Sequence, residues 1–269
     1  MIKLLIILLI VGSFGCSSLT RTEKITIKGS DTMYELLEIL SAVYMKNNPN
    51  VSIYVTGGGT EIGFHALETG IADICMASRN FNPDEVKILA EKYQSIGISN
   101  LIAKDAISIY LNRDNDISNL NLDELKSIFL CGTKNWSEIE GSGTSIIPIR
   151  RKTTSGTYHY FKSHVLDGQD FCDSVISFNS HDEMIKFIEE NPNSIGFGGI
   201  GNHGNTKLAK INGIEPTPDN VRNDKYILTR YLQLYTINKP NGIIKNFIDW
   251  VQSSEGQKII RNLGYISFR

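Results

Sequence analysis

The chain has 269 residues, of which 41% are hydrophobic and 21% charged, and its 27 Lys and Arg nearly balance its 29 Asp and Glu for a net charge of -2. This composition excludes a disordered, a collagen-like or a polytopic membrane protein, because the apolar content is ordinary and occurs in short runs. The length indicates one large or two modest domains, and the balanced charge argues against a nucleic-acid partner.

The N-terminal segment is typical of a bacterial export signal. Lys3 provides the positive charge, and the apolar run Leu4 to Val11 is too short to span a bilayer. Ser13-Phe14-Gly15-Cys16 resembles a lipoprotein cleavage site. We therefore expect a signal peptide at 1–15, lipid on Cys16 and a tether at 16–23, which places the protein on the periplasmic side of the cell envelope, anchored to a membrane. The alternative is an ordinary signal peptide with an incidental Cys16.

The first part of the mature chain alternates between strand and helix patterns. The predicted elements, in order, are a strand at 24–28, a helix from Met33, a strand at 51–55, a helix from Thr60 to near Gly70 and a strand at 72–76. Small-residue turns, Gly29 to Thr32 and Gly57 to Thr60, connect strand to helix. This alternation predicts an α/β fold with parallel strands.

Two long β-rich runs, Leu101 to Leu111 and Tyr226 to Ile237, predict two crossings between two lobes. The elements expected between them are a helix capped by Asn121, a strand at 146–150, a third strand-to-helix turn at Thr153 to Thr157, and a helix whose capping box is Ser180 with Glu183. One final helix, Pro240 to Leu263, is expected to return to the first lobe. Lobe 1 then comprises residues 24–104 and 231–269, and lobe 2 comprises residues 105–230.

The cysteines and histidines predict neither a metal site nor a cofactor. No pair of cysteines has zinc-ligand spacing, and we expect Cys75, Cys131 and Cys172 to be small buried apolar residues with at most one disulfide among them, the pair left open. Gly199 to Gly204 matches the G-x-G-x-x-G pattern, but weak helical periodicity follows it, so we interpret it as a flexible turn. No nucleophile elbow, zinc helix or P-loop is present, and the protein is not expected to be an enzyme.

The three strand-to-helix turns share a composition of Gly, Ser and Thr. The first amides of a helix lack intrahelical partners and carry the positive end of its dipole, so each turn can present donors to an anion. Ordinary capping would explain one such turn, whereas three favour a shared anion cleft. Strand alternation allows only one of Arg150 and Arg151 to face the third turn, where a guanidinium can hold two oxygens of an anion. Arg79 is a second candidate, with a solvated surface arginine as the alternative.

Five sequence segments together carry a family resemblance: Gly-Ser-Asp-Thr-Met from Gly29, Gly-Gly-Gly-Thr from Gly57, Ala-Asp-Ile-Cys-Met-Ala-Ser-Arg from Ala72, Ile-Phe-Leu-Cys-Gly-Thr-Lys-Asn-Trp from Ile128, and Arg-Lys-Thr-Thr-Ser-Gly-Thr from Arg151. The chain resembles the phosphate-binding lipoproteins of bacterial phosphate ABC importers. This resemblance implies a two-lobed α/β periplasmic binding protein of type II with two hinge-crossing strands. It also implies capture of inorganic phosphate and delivery to the permease subunits of an ABC transporter.

The resemblance also implies which residues bind phosphate. They are Thr32 and Met33 in the first turn, Thr60 in the second, and Arg151, Ser155, Gly156 and Thr157 in the third, with Ser78 and Arg79 where family members place either Asp or Arg. An Asp there accepts the proton of hydrogen phosphate, which distinguishes phosphate from sulfate. Because Arg79 occupies that position, and Thr153 a position that is commonly acidic, we expect the acceptor to be Asp31, with Glu61 as the next candidate; the alternative is that Asp31 only caps the helix. The alternatives are another tetrahedral oxyanion such as sulfate, and a surface lipoprotein without a transport role.

Overall fold

The computed structural model describes residues 22–268 of the chain. The predicted signal peptide and Cys16 lie outside the described residues, as does all but the end of the predicted tether. Within residues 22–268, no helix combines the length and the apolar character that crossing a membrane requires.

The described chain forms ten strands and nine α-helices. The strands are β1 Glu23–Gly29, β2 Val51–Thr56, β3 Ile74–Ala77, β4 Ile98–Leu111, β5 Asn119–Leu120, β6 Ile147–Arg151, β7 Ile176–Phe178, β8 Ser194–Gly199, β9 Lys207–Ile211 and β10 Thr229–Thr236. The helices are α1 Tyr34–Asn47, α2 Thr60–Glu68, α3 Pro83–Tyr93, α4 Leu122–Phe129, α5 Gly156–His164, α6 His181–Glu190, α7 Pro218–Arg222, α8 Gly242–Gln252 and α9 Ser254–Asn262. Short 3-10 turns occupy Asp31–Met33 and Trp136–Ile139.

The sheet is mixed rather than wholly parallel. Its order is β2-β1-β3-β10-β4-β8-β6-β7, with β9 beside β4 and β5 beside β9. The pairs within β1, β2 and β3, and within β6, β7 and β8, are parallel as predicted, whereas β10 is antiparallel to both β3 and β4. The parallel strands predicted for the first part of the chain are confirmed in β1, β2 and β3, and the antiparallel β4 and β10 fall in the two runs that were predicted as crossings between the lobes. The chain leaves the first sheet along β4 and returns along β10, so the two strands run in opposite directions.

Strand β4 belongs to both halves of the sheet. Its residues up to Ala106 pair with β10, and its residues from Ile107 onward pair with β8 and β9. Each half of the sheet carries its own hydrophobic core. The first core includes Ile27, Leu37 and Phe247, and the second includes Phe161 stacked on Phe197 with ring centroids 3.8 Å apart. Two separate cores joined by long strands define a two-lobed α/β protein.

The predicted helix caps at Asn121 and Ser180 are confirmed. Asn121 Oδ1 accepts a hydrogen bond from the amide of Glu124 at 2.8 Å, and Ser180 Oγ accepts one from the amide of Glu183 at 3.1 Å. The single helix predicted from Pro240 to Leu263 was wrong, because the chain is extended at Ser253 and divides it into α8 and α9. Ser253 Oγ accepts from the amide of Gly256 at 3.4 Å. A serine that bonds nearby backbone in this way competes with helix continuation.

The cysteines differ from the expectation that all three are buried. Cys75 is buried and free, as predicted. Cys131 and Cys172 are half-buried and form a disulfide, so they are not core residues. Cys131 lies in the turn after α4 with a left-handed backbone (φ 62°), and Cys172 lies in the loop before β7. The bond therefore links two loops of the second core.

No helix follows the G-x-G-x-x-G segment at Gly199 to Gly204 before the next strand. Strand β8 ends at Gly199, and the next element is β9, which begins at Lys207. A dinucleotide site needs the N-terminus of a helix at this point, so the turn interpretation is confirmed.

Candidate functional site

The three predicted turns meet at the junction of the lobes. Thr32 Oγ1, in the first turn, is 3.0 Å from Thr157 Oγ1 in the third. Thr154 Oγ1, also in the third turn, donates to the carbonyl of Gly58 in the second turn at 3.1 Å. Segments that are far apart in sequence therefore share one site, as the repeated composition predicts.

Glycine makes this close approach possible at two positions. A Cβ on Gly156 would lie 2.5 Å from both Ser78 Oγ and Thr60 Oγ1, which are on the opposite lobe. Gly59 has φ +109°, and a Cβ there would lie 2.4 Å from the carbonyl oxygen of Thr154. Non-bonded heavy atoms need about 3.5 Å. Any larger residue at either position would hold the two lobes apart.

The junction contains a cluster of buried hydroxyl groups, which we call the hydroxyl cluster. Its members are Ser30, Thr32, Thr60, Ser78, Ser155 and Thr157. Ser30 Oγ donates to Ser78 Oγ at 3.0 Å, and Thr60 Oγ1 accepts from the amide of Ser78 at 3.3 Å. A hydroxyl has one proton and two lone pairs, so each member can rotate to donate to a bound anion.

Two helices begin at the hydroxyl cluster. Helix α2 starts at Thr60 from lobe 1, and helix α5 starts at Gly156 from lobe 2. Ser155, the N-cap of α5, is extended (φ -74°, ψ 128°) and its side chain makes no capping bond. The first amides of both helices and the positive ends of their dipoles are therefore at the same junction, an arrangement that favours an anion.

Arg151 supplies positive charge at this point. It is 1% exposed, and its Nη2 donates to Asp31 Oδ2 at 2.5 Å and to the carbonyl of Asn179 at 2.8 Å. Its Nε is buried and has no partner in the part of the chain that the structure describes. The guanidinium of Arg150 points away: its Nη1 donates to the carbonyl of Arg151 at 3.1 Å and to Ser177 Oγ at 3.4 Å, and the group lies 5.1 Å from the centre of the Tyr158 ring. Neighbouring residues of a strand point to opposite faces, so only one of the two arginines was predicted to face the third turn, and that residue is Arg151.

Asp31 links the first two turns to the third. Its Oδ1 accepts from the amide of Gly58 at 2.7 Å, while its Oδ2 accepts from Arg151. The carboxylate therefore bonds another turn and the other lobe, and it does not cap its own helix.

Two predicted site residues take different positions from the rest. Both terminal nitrogens of Arg79 donate to the carboxylate of Glu85, each at 2.7 Å, and Nη1 also donates to the carbonyl of Asn80. The side chain of Met33 is fully buried in the first core, and its amide donates to the carbonyl of Ser30 at 3.0 Å. Arg79 is therefore engaged by its own lobe, and Met33 anchors the first turn.

Sequence reasoning missed a second buried arginine at the junction. Arg230, on β10, donates through Nη1 to Thr157 Oγ1 at 2.8 Å and pairs with Asp105 on β4. Tyr265 also reaches the site, donating to the carbonyl of Thr32 at 2.8 Å. The available signal was the presence of charged residues inside the two β-rich runs, Lys104 and Asp105 in the first and Arg230 in the second. Such residues are rarely buried without a partner.

Cavities flank the junction on two sides. One of about 580 Å³ is lined by Arg79, His159 and Arg230, among others. Another of about 740 Å³ is lined by Asp31, Glu38 and His181, among others. Burial lowers the pKa of both His159 and His181, so both imidazoles are neutral at pH 7. The positive charge beside the hydroxyl cluster therefore comes from arginine and not from histidine.

The fold and the junction define the class of protein as a two-lobed solute-binding protein. Residues 17–255 match the family model described as a PBP superfamily domain. The phosphate-binding protein PstS of Pseudomonas aeruginosa is 30% identical over 261 residues, covering 88% of this chain and 81% of that protein. The chain belongs to the PBP superfamily and, within it, to the family of the PstS proteins.

Solved structures agree with this assignment. An ABC-type phosphate transport receptor from Vibrio cholerae has a TM-score of 0.74 and 27% identity, covering 90% of this chain and 99% of that one. A phosphate ABC transporter substrate-binding protein from Clostridium perfringens, described as putative and solved with bound phosphate, has a TM-score of 0.85 at 24% identity, covering 92% of this chain and 100% of that one. At 24% identity, the similarity to the Clostridium perfringens structure supports the fold alone.

Replacing Gly156 by alanine tests the junction. The added Cβ meets Ser78 and Thr60 at 2.5 Å, and overpacking of this size costs about 1–3 kcal/mol, so the ratio of closed to open molecules should fall by about fivefold or more. Spin labels at Glu38 and Asp182, on opposite sides of the larger cavity, report the closed distance. Gly143→Ala is the control, because its Cβ meets nothing within 4 Å. An unchanged distance distribution in Gly156→Ala would contradict the described contact.

Proposed function

We propose that this protein captures inorganic phosphate between its lobes and delivers it to the permease subunits of an ABC importer. The observation that carries the proposal is the buried convergence of Arg151, the hydroxyl cluster and two helix N-termini at one point. A tetrahedral anion offers four oxygens, and this site offers one guanidinium and many neutral donors. The names of the curated relatives support the same ligand.

Each residue of the site has a proposed role. Hydroxyl groups of Thr32, Thr60, Ser78, Ser155 and Thr157 donate to phosphate oxygens. Gly156 contributes its backbone amide at the start of α5, and Arg151 contributes the free N–H of Nε. Met33 holds the first turn in place, and Arg79, whose two terminal nitrogens bond Glu85, adds positive charge beside the cleft. No step of this function breaks a covalent bond, in keeping with a binding protein rather than an enzyme.

Closure follows from donors on both lobes. We propose lobe 1 at residues 24–104 and 231–269, and lobe 2 at residues 105–230, with β4 and β10 crossing between them. The first two turns and the third bind the same anion only when the lobes approach, so phosphate stabilises the closed state by its differential contacts.

Export and lipid anchoring complete the proposal. The sequence before Glu23 supports a signal peptide ending at Gly15 and a lipid on Cys16. The protein would then act on the outer side of a membrane that also holds its permease. The alternatives are a sulfate-binding protein, which titrations with both anions distinguish, and a surface lipoprotein without a transport role.

Calorimetric titration of the mature protein with phosphate tests the function, and Arg151→Ala tests the site. Loss of a buried, charge-assisted bond costs about 2–5 kcal/mol, so phosphate affinity should fall by about thirtyfold or more. Arg150→Ala is the matched control, because Arg150 faces Ser177 and Tyr158, and its affinity should change by less than about threefold. Equal losses in the two variants would remove Arg151 from the site, and a wild type that binds no phosphate would refute the function.

Asp31→Asn tests selectivity. Hydrogen phosphate has a proton to donate and sulfate has none, so a carboxylate acceptor favours the first and repels the second. We expect the ratio of phosphate affinity to sulfate affinity to fall by about tenfold, since one charge-assisted hydrogen bond contributes about 1.5–3 kcal/mol. Titrations with both anions at constant ionic strength measure this ratio. Glu61→Gln is the control and should leave it unchanged; a change confined to Glu61→Gln would reassign the acceptor.

Cys16→Ser tests anchoring. Two or more acyl chains on Cys16 would hold the protein on a membrane, which a soluble domain alone does not achieve. We expect the serine variant to be released into the soluble fraction while its phosphate affinity stays the same. Cys75→Ala is the control, because Cys75 is buried in the first lobe, and this variant should stay with the membrane fraction. A membrane-bound Cys16→Ser protein would contradict lipidation at this residue.

A further inference from the structure

The two strands that connect the lobes carry a buried ion pair. Arg230 of β10 and Asp105 of β4 lie directly opposite each other in the antiparallel register. Arg230 Nε donates to Asp105 Oδ2 at 2.9 Å, and Nη2 lies 2.8 Å from the same oxygen. The two side chains are 2% and 0% exposed. The pair therefore occupies the interior of the molecule at the junction of the lobes.

A buried ion pair adds little to the free energy of unfolding. The loss of hydration of both charges offsets much of their attraction, and apolar residues of similar volume often serve as well or better. Such a pair is tolerated when the remaining polar atoms also find partners. Here Asp105 Oδ1 accepts from the amide of Ile200 at 3.0 Å. Of the two terminal nitrogens of Arg230, Nη1 donates to Thr157, whereas Nη2 lies 2.8 Å from Asp105 Oδ2 but makes no hydrogen bond within residues 22–268.

The bond to Thr157 restricts how its hydroxyl can act. A guanidinium has donors and no acceptor, so Arg230 must donate and Thr157 Oγ1 must accept. One lone pair of that oxygen is then occupied, and the single O–H of Thr157 points to another partner. The neighbour on the cleft side is Thr32 Oγ1, 3.0 Å away. Arg230 therefore orients Thr157 as a donor toward the place where the turns of both lobes meet.

We infer that Arg230 is a positioning residue for anion binding. It fixes the donor direction of Thr157 and attaches the start of α5 to the two connecting strands, without contacting the anion itself. Asp105 holds Arg230 in the register at which Nη1 reaches Thr157. This inference rests on the proposed function, since it assumes that Thr157 donates to phosphate.

A double-mutant cycle on phosphate affinity tests the inference. Arg230→Lys keeps the positive charge beside Asp105, but an ammonium lacks the rigid fork that serves Asp105 and Thr157 at the same time. We expect phosphate affinity to fall by about tenfold in Arg230→Lys. In a Thr157→Ala background the same replacement should change affinity by less than about twofold, because the group on which Arg230 acts is gone. Titration to tens of millimolar phosphate keeps the weaker variants measurable.

Two further variants separate positioning from folding and from general electrostatics. Arg230→Met combined with Asp105→Leu removes both charges without leaving either unpaired, so it should fold and still lose about tenfold in affinity. Arg150→Lys, near the same turn but bonded to Ser177, should bind as the wild type does. The midpoint of thermal unfolding of each variant in phosphate-free buffer shows whether an affinity loss accompanies a loss of fold.

The outcomes are distinct. An unchanged affinity in Arg230→Lys would show that charge alone matters and would overturn the inference, as would the same tenfold loss in the presence and absence of the Thr157 hydroxyl. An affinity loss that parallels the unfolding midpoint across all variants would also overturn it. If the wild type binds no phosphate, the proposed function fails and the inference fails with it, whereas an additive cycle in a phosphate-binding wild type refutes only the inference.

Discussion

The closed junction depends on how the charge of Arg151 is compensated. Its guanidinium is almost wholly buried, and a buried charge without a partner is strongly destabilising. The carboxylate that compensates it, Asp31, belongs to the first turn, on the opposite side of the junction. Arg151 thus has its carboxylate partner only when the first and third turns are together. One contact therefore both stabilises the closed arrangement and completes the site.

The charge of Arg230 is neutralised within the sheet. Its carboxylate partner, Asp105, is its direct neighbour on the adjacent strand, so this ion pair does not need the turns to meet. Only its bond to Thr157 extends into the cleft. The junction thus contains two arginines of different kinds. The charge of Arg151 is neutralised by a carboxylate only when the turns meet, whereas the charge of Arg230 is neutralised by Asp105 in every position of the turns. The Arg230–Asp105 pair holds the third turn in place through Thr157, and the Arg151–Asp31 pair forms when the lobes close.

The parts of this site that the sequence predicts are the local ones. Glycine, hydroxyl side chains and the start of helical spacing occur within a few residues of each other, so the three turns were predictable, and strand alternation showed that only one of Arg150 and Arg151 faces the third turn. The ion pairs were not predictable. Arg151 is 120 residues from Asp31, and Arg230 is 125 residues from Asp105. Those pairings depend on strand register and on lobe packing, which periodicity in one sequence does not specify.

Neutral donors and charged groups have separate tasks in this cleft. The hydroxyl cluster can donate or accept, so it adapts to an anion in any protonation state and discriminates little between anions. A carboxylate only accepts. Asp31 already accepts from Gly58 and Arg151, but a carboxylate has about four lone-pair positions, so its capacity is not exhausted. Because Arg151 offsets the negative charge of Asp31, the carboxylate meets the electrostatic requirement of the role that we propose for it, which is to accept a hydrogen bond from a protonated oxygen of the anion.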